Sequence, residues 1–362
     1  MKKINKILDS EISVISFTNE AKGLLFEYLV AFYFSLSQAD SKNFLTVESL
    51  PQVLKKRLED YESFLRQYNL ELLKKLDNYA RQMAEYLREY LEKRGYLGRK
   101  DDFQICLEKE KKSWREADFF IYSYGPLDGT LKKIKQEIPI GLKLTQQGAW
   151  VNTKSGGMQS FFTTYFSNFS DSTEIQKKIN QESALHHKVM QEKLLEFHRG
   201  ESPTEETTGW EWEKDFYSEE KIKKEIKEET QISQLPGQLP KELKKIVLSY
   251  YEFLTFLLSS HLQELYKQSP AKFLENLLPL MGFSRPDLWR VMALVSRSQQ
   301  ELSFNISHGK DILLKENNLL FIPKKHSLEI QLEENCLLQI RPKPMRSYLT
   351  PSFKINCSLK IS

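Results

Sequence analysis

The sequence predicts a mixed α/β chain of the α+β kind, and three patterns predict it. Apolar residues recur every third or fourth position over 19–36 and again over 52–94, which is helical spacing. Two β-rich segments, 118–124 and 131–145, flank a Gly/Pro/Asp turn and read as a hairpin. Toward the C-terminus, apolar and polar residues alternate in short runs, the period of half-buried strands.

Taken in order, the first helix has Asn19 as a cap, Glu20 just inside it, and Leu24, Leu25, Tyr28, Leu29 and Phe32 along one side. The second helical region carries Leu54, Leu58, Tyr61, Leu65, Tyr68, Leu72, Leu76, Tyr79, Met83, Tyr86 and Tyr90, with mostly charged residues between, and is broken once. That seam predicts a bundle or coiled-coil-like core contact, with a homodimer seam as the functional alternative. Gly95 to Arg99 ends the helix, and Phe103 to Leu107 reads as a strand. The hairpin follows, then a polar loop from Val151 to Gly157. Helices are expected over 158–166 and 172–199.

Residues 200–234 are dense in charge of both signs, and Leu235-Pro236-Gly237-Gln238-Leu239-Pro240 punctuates the chain. We therefore expect two regions: 1–234, a core with a helical insertion at about 52–94, and 235–362, a helical and β region. Helices are predicted in the latter over 241–267, 270–280 and 286–299. Strands are predicted over 302–306, 312–315, 318–322, 327–332, 336–341 and 353–360.

Composition narrows the function classes. A net charge of +4 over 362 residues does not announce a nucleic-acid protein, so any basic surface must be local. There is no uncharged apolar run long enough to span a bilayer, and the N-terminus lacks the apolar core of a signal peptide. Cys106, Cys336 and Cys357 are too scattered for a disulfide framework or a zinc site. A cytoplasmic protein is the expectation. The sequence has no GxSxG, GxxxxGK[ST] or GxGxxG, which argues against a serine hydrolase, a P-loop NTPase and a dinucleotide enzyme. His186 and His187 are adjacent on a predicted helix, and His198 follows eleven residues after His187. Adjacent helical residues point about 100° apart, so the first two do not chelate together.

Three residues carry the chemistry. Asp118 opens one apolar strand, Lys143 sits inside the next, and Glu27 lies in the apolar first helix. Phosphodiester hydrolysis needs a divalent metal, an activated water and stabilisation of charge developing on phosphate. Mg²⁺ takes oxygen ligands and keeps waters, so one or two carboxylates plus substrate phosphate can hold it. A lysine beside them orients the water and offsets the developing negative charge. Hairpin neighbours can project Asp118 and Lys143 to one face, and Glu27 can approach from a helix packed beside the sheet.

On these residues the chain resembles the PD-(D/E)xK, or restriction endonuclease-like, nuclease superfamily. The resemblance covers about residues 20–165 and is carried by Glu27, Asp118 and Gly141-Leu142-Lys143. It implies a core with a central mixed sheet flanked by helices. It also implies Asp118 as the metal-binding aspartate, Lys143 as the catalytic lysine and Glu27 as an accessory acid. Gly141 stands where that pattern has its second acid. Glu27 would then supply the missing carboxylate, with Glu137 a less favoured candidate. The implied cofactor is Mg²⁺, with Mn²⁺ as a substitute, and the implied partner is double-stranded DNA.

Two further segments offer DNA contacts. The polar stretch after Lys143 contains Asn152, Lys154 and Ser155 near two glycines, which let backbone approach phosphate. The C-terminal strands place Arg341, Lys343, Arg346 and Lys354 in alternation with apolar residues, a basic face suited to phosphate contact or groove reading. A helix start at 282–290 is a weaker docking candidate. The sequence thus predicts a Mg²⁺-dependent endodeoxyribonuclease, a type II restriction enzyme first and a repair, recombination or phage-defence nuclease second. A non-catalytic helical binding or scaffolding protein, working through 52–94, is the reading from another class.

Overall fold

The computed structural model describes residues 11–36, 50–98, 102–107, 117–124, 134–198, 241–298, 301–313, 319–333, 336–344 and 353–361. In chain order its elements are α1 (Glu11–Leu36), α2 (Gln52–Tyr68), α3 (Leu70–Lys93), β1 (Asp102–Cys106), β2 (Phe119–Tyr124), β3 (Ile134–Gln146) and β4 (Val151–Gly157). A 3₁₀ turn (Met158–Ser160) leads into α4 (Phe161–Tyr165), α5 (Ser172–His198), α6 (Lys241–Gln268) and α7 (Pro270–Leu280). The chain finishes with β5 (Trp289–Val295), β6 (Leu302–His308), α8 (Gly309–Leu313), β7 (Leu320–Lys324), β8 (Ser327–Glu333), β9 (Cys336–Pro344) and β10 (Phe353–Ile361). The fold is mixed α+β, with sheets flanked by helices. No described helix is long and apolar enough to cross a membrane.

The chain forms two compact units, each made of two stretches. One joins Met1–Ala149 to Phe283–Ile312, and the other joins Trp150–Gly282 to Leu313–Ser362. The boundary expected near residue 235 lies outside the described residues.

The first unit is built on a five-stranded mixed sheet in the order β1-β2-β3-β5-β6. β1, β2 and β3 form an antiparallel meander, β5 runs parallel to β3, and β6 returns antiparallel to β5. One face carries Phe119, Ile121, Ile138, Ile140, Leu142, Trp289, Val291 and Ala293, and α1, α2 and α3 bury it. The helical break predicted within 52–94 falls at Asn69. Its side chain accepts from the Leu72 N–H at 3.0 Å and so caps α3. Along α3, Leu76, Ala80, Met83, Ala84, Leu87 and Leu91 are buried at helical spacing and join the same core as α1. The seam that could have served a dimer is therefore occupied by the chain's own helices and sheet.

Residues 289–295 form β5, where the sequence predicts helix over 286–299. The reason is physical. A strand flanked on both sides in a sheet and buried on both faces reads as a continuous apolar run and loses the alternation that marks a strand. All but the last residue of β5 is buried. The docking helix expected at 282–290 is thereby absent. Likewise 309–313 is a short helix in place of the strand expected at 312–315. The hairpin of β2 with β3 matches the expectation, while its turn at 125–133 lies outside the described residues.

The second unit holds an antiparallel sheet in the order β4-β10-β9-β8-β7. Leu328, Ile330, Leu338, Ile340, Ile355, Cys357 and Leu359 are all buried and share one face by register, and α6 packs on β7, β8 and β9. β4 is a strand at the sheet edge, where the sequence predicts a loop. Its serines, threonine and glycines look loop-like, but their ladder is supplied by β10, which follows some 200 residues later. The pairing carries a bulge. Lys154 lies across from Cys357 and Asn152 across from Ser358, so Thr153 is the extra residue. The Thr153 hydroxyl donates to the carbonyls of Leu280 and Cys357 and anchors the bulge.

Candidate functional site

Asp118 immediately precedes β2, and its backbone N–H donates to the Ile140 carbonyl at 2.7 Å. Its carboxylate Oδ2 accepts from the Leu142 N–H at 2.6 Å, taking the place of a ladder carbonyl. The carboxylate is thus fixed against the backbone one residue before Lys143. Lys143 is half-buried on β3, with Met292 of β5 as its register neighbour. Strand alternation sends it to the face opposite Ile140 and Leu142. Among the described residues Lys143 has no ion-pair partner.

Gly141 lies across from Arg290 on β5. Arg290 is only 4 % exposed, and its guanidinium lies 5.5 Å from the centroid of the Phe283 ring. A buried arginine on β5, across from Gly141, is the feature that sequence reasoning missed. The run Trp289-Arg290-Val291 reads as helix in the sequence, which hides the alternation that sends Arg290 to the same face as Lys143.

Glu27 sits half-buried on α1. The apolar residues of α1 pack on the Ile140–Leu142 face, whereas Lys143 points to the other. Asp118 and Lys143 stand at neighbouring strands, and Glu27 is on the helix covering the face opposite Lys143. Glu137 is engaged elsewhere: Arg285 Nη1 donates to it at 2.9 Å, while Arg285 Nε and Nη2 clamp Asp287. The Asp287 hydrogen bonds are the main reason the Arg285 pKa rises above its ordinary value.

Among the described residues no group of three or more His, Cys, Asp or Glu side chains is arranged to hold a metal. A one-carboxylate Mg²⁺ site needs water and substrate phosphate for its other ligands, and Asp118 Oδ2 already accepts from the Leu142 N–H. His186 stacks on Phe253 with centroids 3.5 Å apart, and buried His187 packs against Tyr250 and Phe353. Both therefore serve packing in the second unit.

The residues expected to contact DNA converge on the second unit's sheet. Register places Arg341 across from Asn356, Lys343 across from Lys354, and Ser155 across from Asn356 on its other side. The Thr153 bulge turns Asn152 to the same face as Ser155, three residues along, where a regular strand would oppose them. Lys154 is turned the other way, beside Cys357. Burial pushes the Cys357 thiol up to about 12, and nearby Lys154 opposes that rise only in part. Arg346 lies outside the described residues.

A scan against protein-family models returns no match, and a search of curated proteins returns none.

Proposed function

We propose that this chain is a Mg²⁺-dependent deoxyribonuclease of the PD-(D/E)xK kind, acting on double-stranded DNA. The observation that carries this reading is the placement of Asp118 just before β2 and of Lys143 on the adjoining strand β3. One backbone amide, Leu142 N–H, fixes the carboxylate, and the next residue is a half-buried lysine without an ion-pair partner among the described residues. An unpaired ammonium held in a sheet costs desolvation free energy, and a phosphate beside it offsets that cost. The antiparallel meander followed by a strand parallel to β3 supports the reading, because the resemblance implies a central mixed sheet.

In this account Asp118 is the residue that would hold the metal. The metal, when bound, lowers the pKa of its water and polarises the phosphate. Lys143 orients the attacking water and offsets charge on the phosphate in the transition state. Arg290, on the same face across from Gly141, supplies a fixed positive charge beside the site. Glu27, which the resemblance implies as the accessory acid, lies on α1 over the face opposite Lys143 and has no part in this account. The scaffolding alternative loses its main support, because the 52–94 seam is filled by the first unit's own core.

The test is digestion of a long defined DNA with and without Mg²⁺. Metal-dependent cleavage supports the nuclease. Discrete fragments favour a restriction enzyme, and a smear favours a repair, recombination or defence nuclease. Intact DNA with Mg²⁺ and with Mn²⁺ contradicts the reading.

A further inference from the structure

The face of the second unit's sheet opposite its apolar core is part-buried and concentrates positive charge in a way that ordinary sheet surfaces avoid. Lys343 and Lys354 are directly across from each other on β9 and β10, a like-charge pairing that destabilises a sheet by itself. Arg341 sits two residues along β9 on the same face, roughly 7 Å away by strand geometry. Lys360 extends the row on β10, with its ammonium 5.9 Å from the centroid of the Trp150 ring. The Lys343 ammonium is held below its ordinary pKa by burial first, and then by Lys354 and Arg341. Among the described residues none of Arg341, Lys343 and Lys354 has a carboxylate partner, and Glu329 on the neighbouring strand pairs with Lys324. Arg341 Nε is buried without a hydrogen-bond partner.

Two asparagines on this face are oriented in a matching sense. Ser155 donates to Asn356 Oδ1 at 3.0 Å, and Ser358 donates to Asn152 Oδ1 at 2.8 Å. Each serine occupies the amide's acceptor and leaves its NH₂ donors for something else. The Thr153 bulge brings Asn152 to this face at all. The resulting surface offers lysine, arginine and amide N–H donors, the complement of an acceptor-rich anion.

We infer that this face binds the phosphodiester backbone of nucleic acid, with Arg341, Lys343 and Lys354 on successive phosphates and Asn152 and Asn356 adding hydrogen bonds. Donors repeated along two strands suit a polymer with repeated charge better than one small anion. The cluster's same-face neighbours Gln339, Asn356 and Ser358 are polar, which disfavours an anionic membrane, whose binding also draws on apolar insertion. The choice of nucleic acid rests on the nuclease reading above, but binding can be measured without cleavage.

The experiment is fluorescence anisotropy of a labelled DNA duplex with the full chain in EDTA, over a series of salt concentrations. Lys343→Gln combined with Lys354→Gln is expected to weaken binding at least about tenfold at low salt. It should also make the log–log salt slope shallower by about 2, near 0.9 for each phosphate that is no longer neutralised. Adding Arg341→Gln deepens both effects. Lys74→Gln with Lys93→Gln removes equal charge from α3 and is expected to leave affinity and slope near wild type. Because Lys343 faces a like charge, Lys343→Gln alone should not lower the melting temperature, which separates a binding role from a structural one. Unchanged affinity and slope in the sheet variants overturn the inference. Equal loss in the α3 pair overturns it too, as does capture by phosphatidylserine vesicles with no binding to DNA. Normal binding with no cleavage in Mg²⁺ would instead leave this surface standing and remove the proposed chemistry.

Discussion

The Asp118 carboxylate accepts a hydrogen bond from the Leu142 N–H at 2.6 Å, so a side chain stands in for a carbonyl in the β2–β3 ladder. Structure and proposed chemistry can be separated at this residue. Asp118→Asn keeps an acceptor for Leu142 and removes the charge. It is expected to melt close to wild type and to lose cleavage by a factor on the order of 10² or more. Asp118→Ala also leaves a buried N–H unmet and should cost a further 1–3 kcal/mol or so of stability. Thermal melts and cleavage assays on the two variants check both statements. Full cleavage by Asp118→Asn would falsify the metal assignment.

The seam of α3 is core, and truncating it should behave as core truncation does. Leu87 is fully buried. Leu87→Ala is expected to destabilise the chain by about 2–5 kcal/mol through reduced burial and a residual cavity. Its oligomeric state by light scattering should match wild type. A change of assembly with little loss of stability would mean that the seam also serves an interface.

Gly309 opens α8 at a close backbone approach. A Cβ there would lie 2.6 Å from the Pro286 carbonyl oxygen, and the Gly309 N–H donates to the Leu288 carbonyl at 3.1 Å. Both neighbours are backbone, so neither can swing aside. Gly309→Ala should lower stability by about 1–3 kcal/mol. A denaturant titration that leaves the midpoint unchanged would count against this packing.

His308 is buried and stacked on Trp289 with centroids 4.1 Å apart. Burial, the largest cause, holds its pKa below the ordinary value. Lys310 adds to this, while Asp311 and Asp287 oppose it. The unfolded chain therefore takes up this proton first as pH falls. The stability contribution is complete above the unfolded pKa of about 6.5, declines as pH drops from there toward the lower folded value, and is level below that. His308→Phe removes this dependence while keeping a ring against Trp289. Between pH 7 and pH 5 its melting temperature should fall less than that of wild type. Parallel falls would show that His308 titrates normally.

Much of the helical architecture was legible because amphipathic spacing survives wherever a helix has one wet face. The 52–94 region and the helices over 241–268 and 270–280 are of this kind. The β2–β3 hairpin was legible from its local turn chemistry. What failed was non-local. β5 lost its alternation because both its faces are buried, and Arg290 was lost with it. β4 looks like a loop because its partner β10 is distant in sequence, so nothing local marks it as a strand. For the same reason Asn152 and Ser155 look separate from Arg341 and Lys354 in the sequence, whereas one sheet face carries all four. Glu27 shows the limit from the other side. Its place on the first helix was readable, but which face of the sheet that helix covers depends on the packing of the whole unit.

The proposed chemistry turns on Lys143, a half-buried ammonium between Leu142 and Leu144 whose proposed partner is substrate phosphate. Lys143→Met keeps most of the stem and removes the charge. The direct test is single-turnover cleavage of a DNA duplex by this variant in Mg²⁺, with its melting temperature and DNA affinity measured on the same preparation. Near wild-type melting and binding are predicted, with cleavage reduced by a factor on the order of 10²–10³. Near-normal cleavage would contradict the proposed role of Lys143, and so would a loss of activity that only tracks a loss of fold.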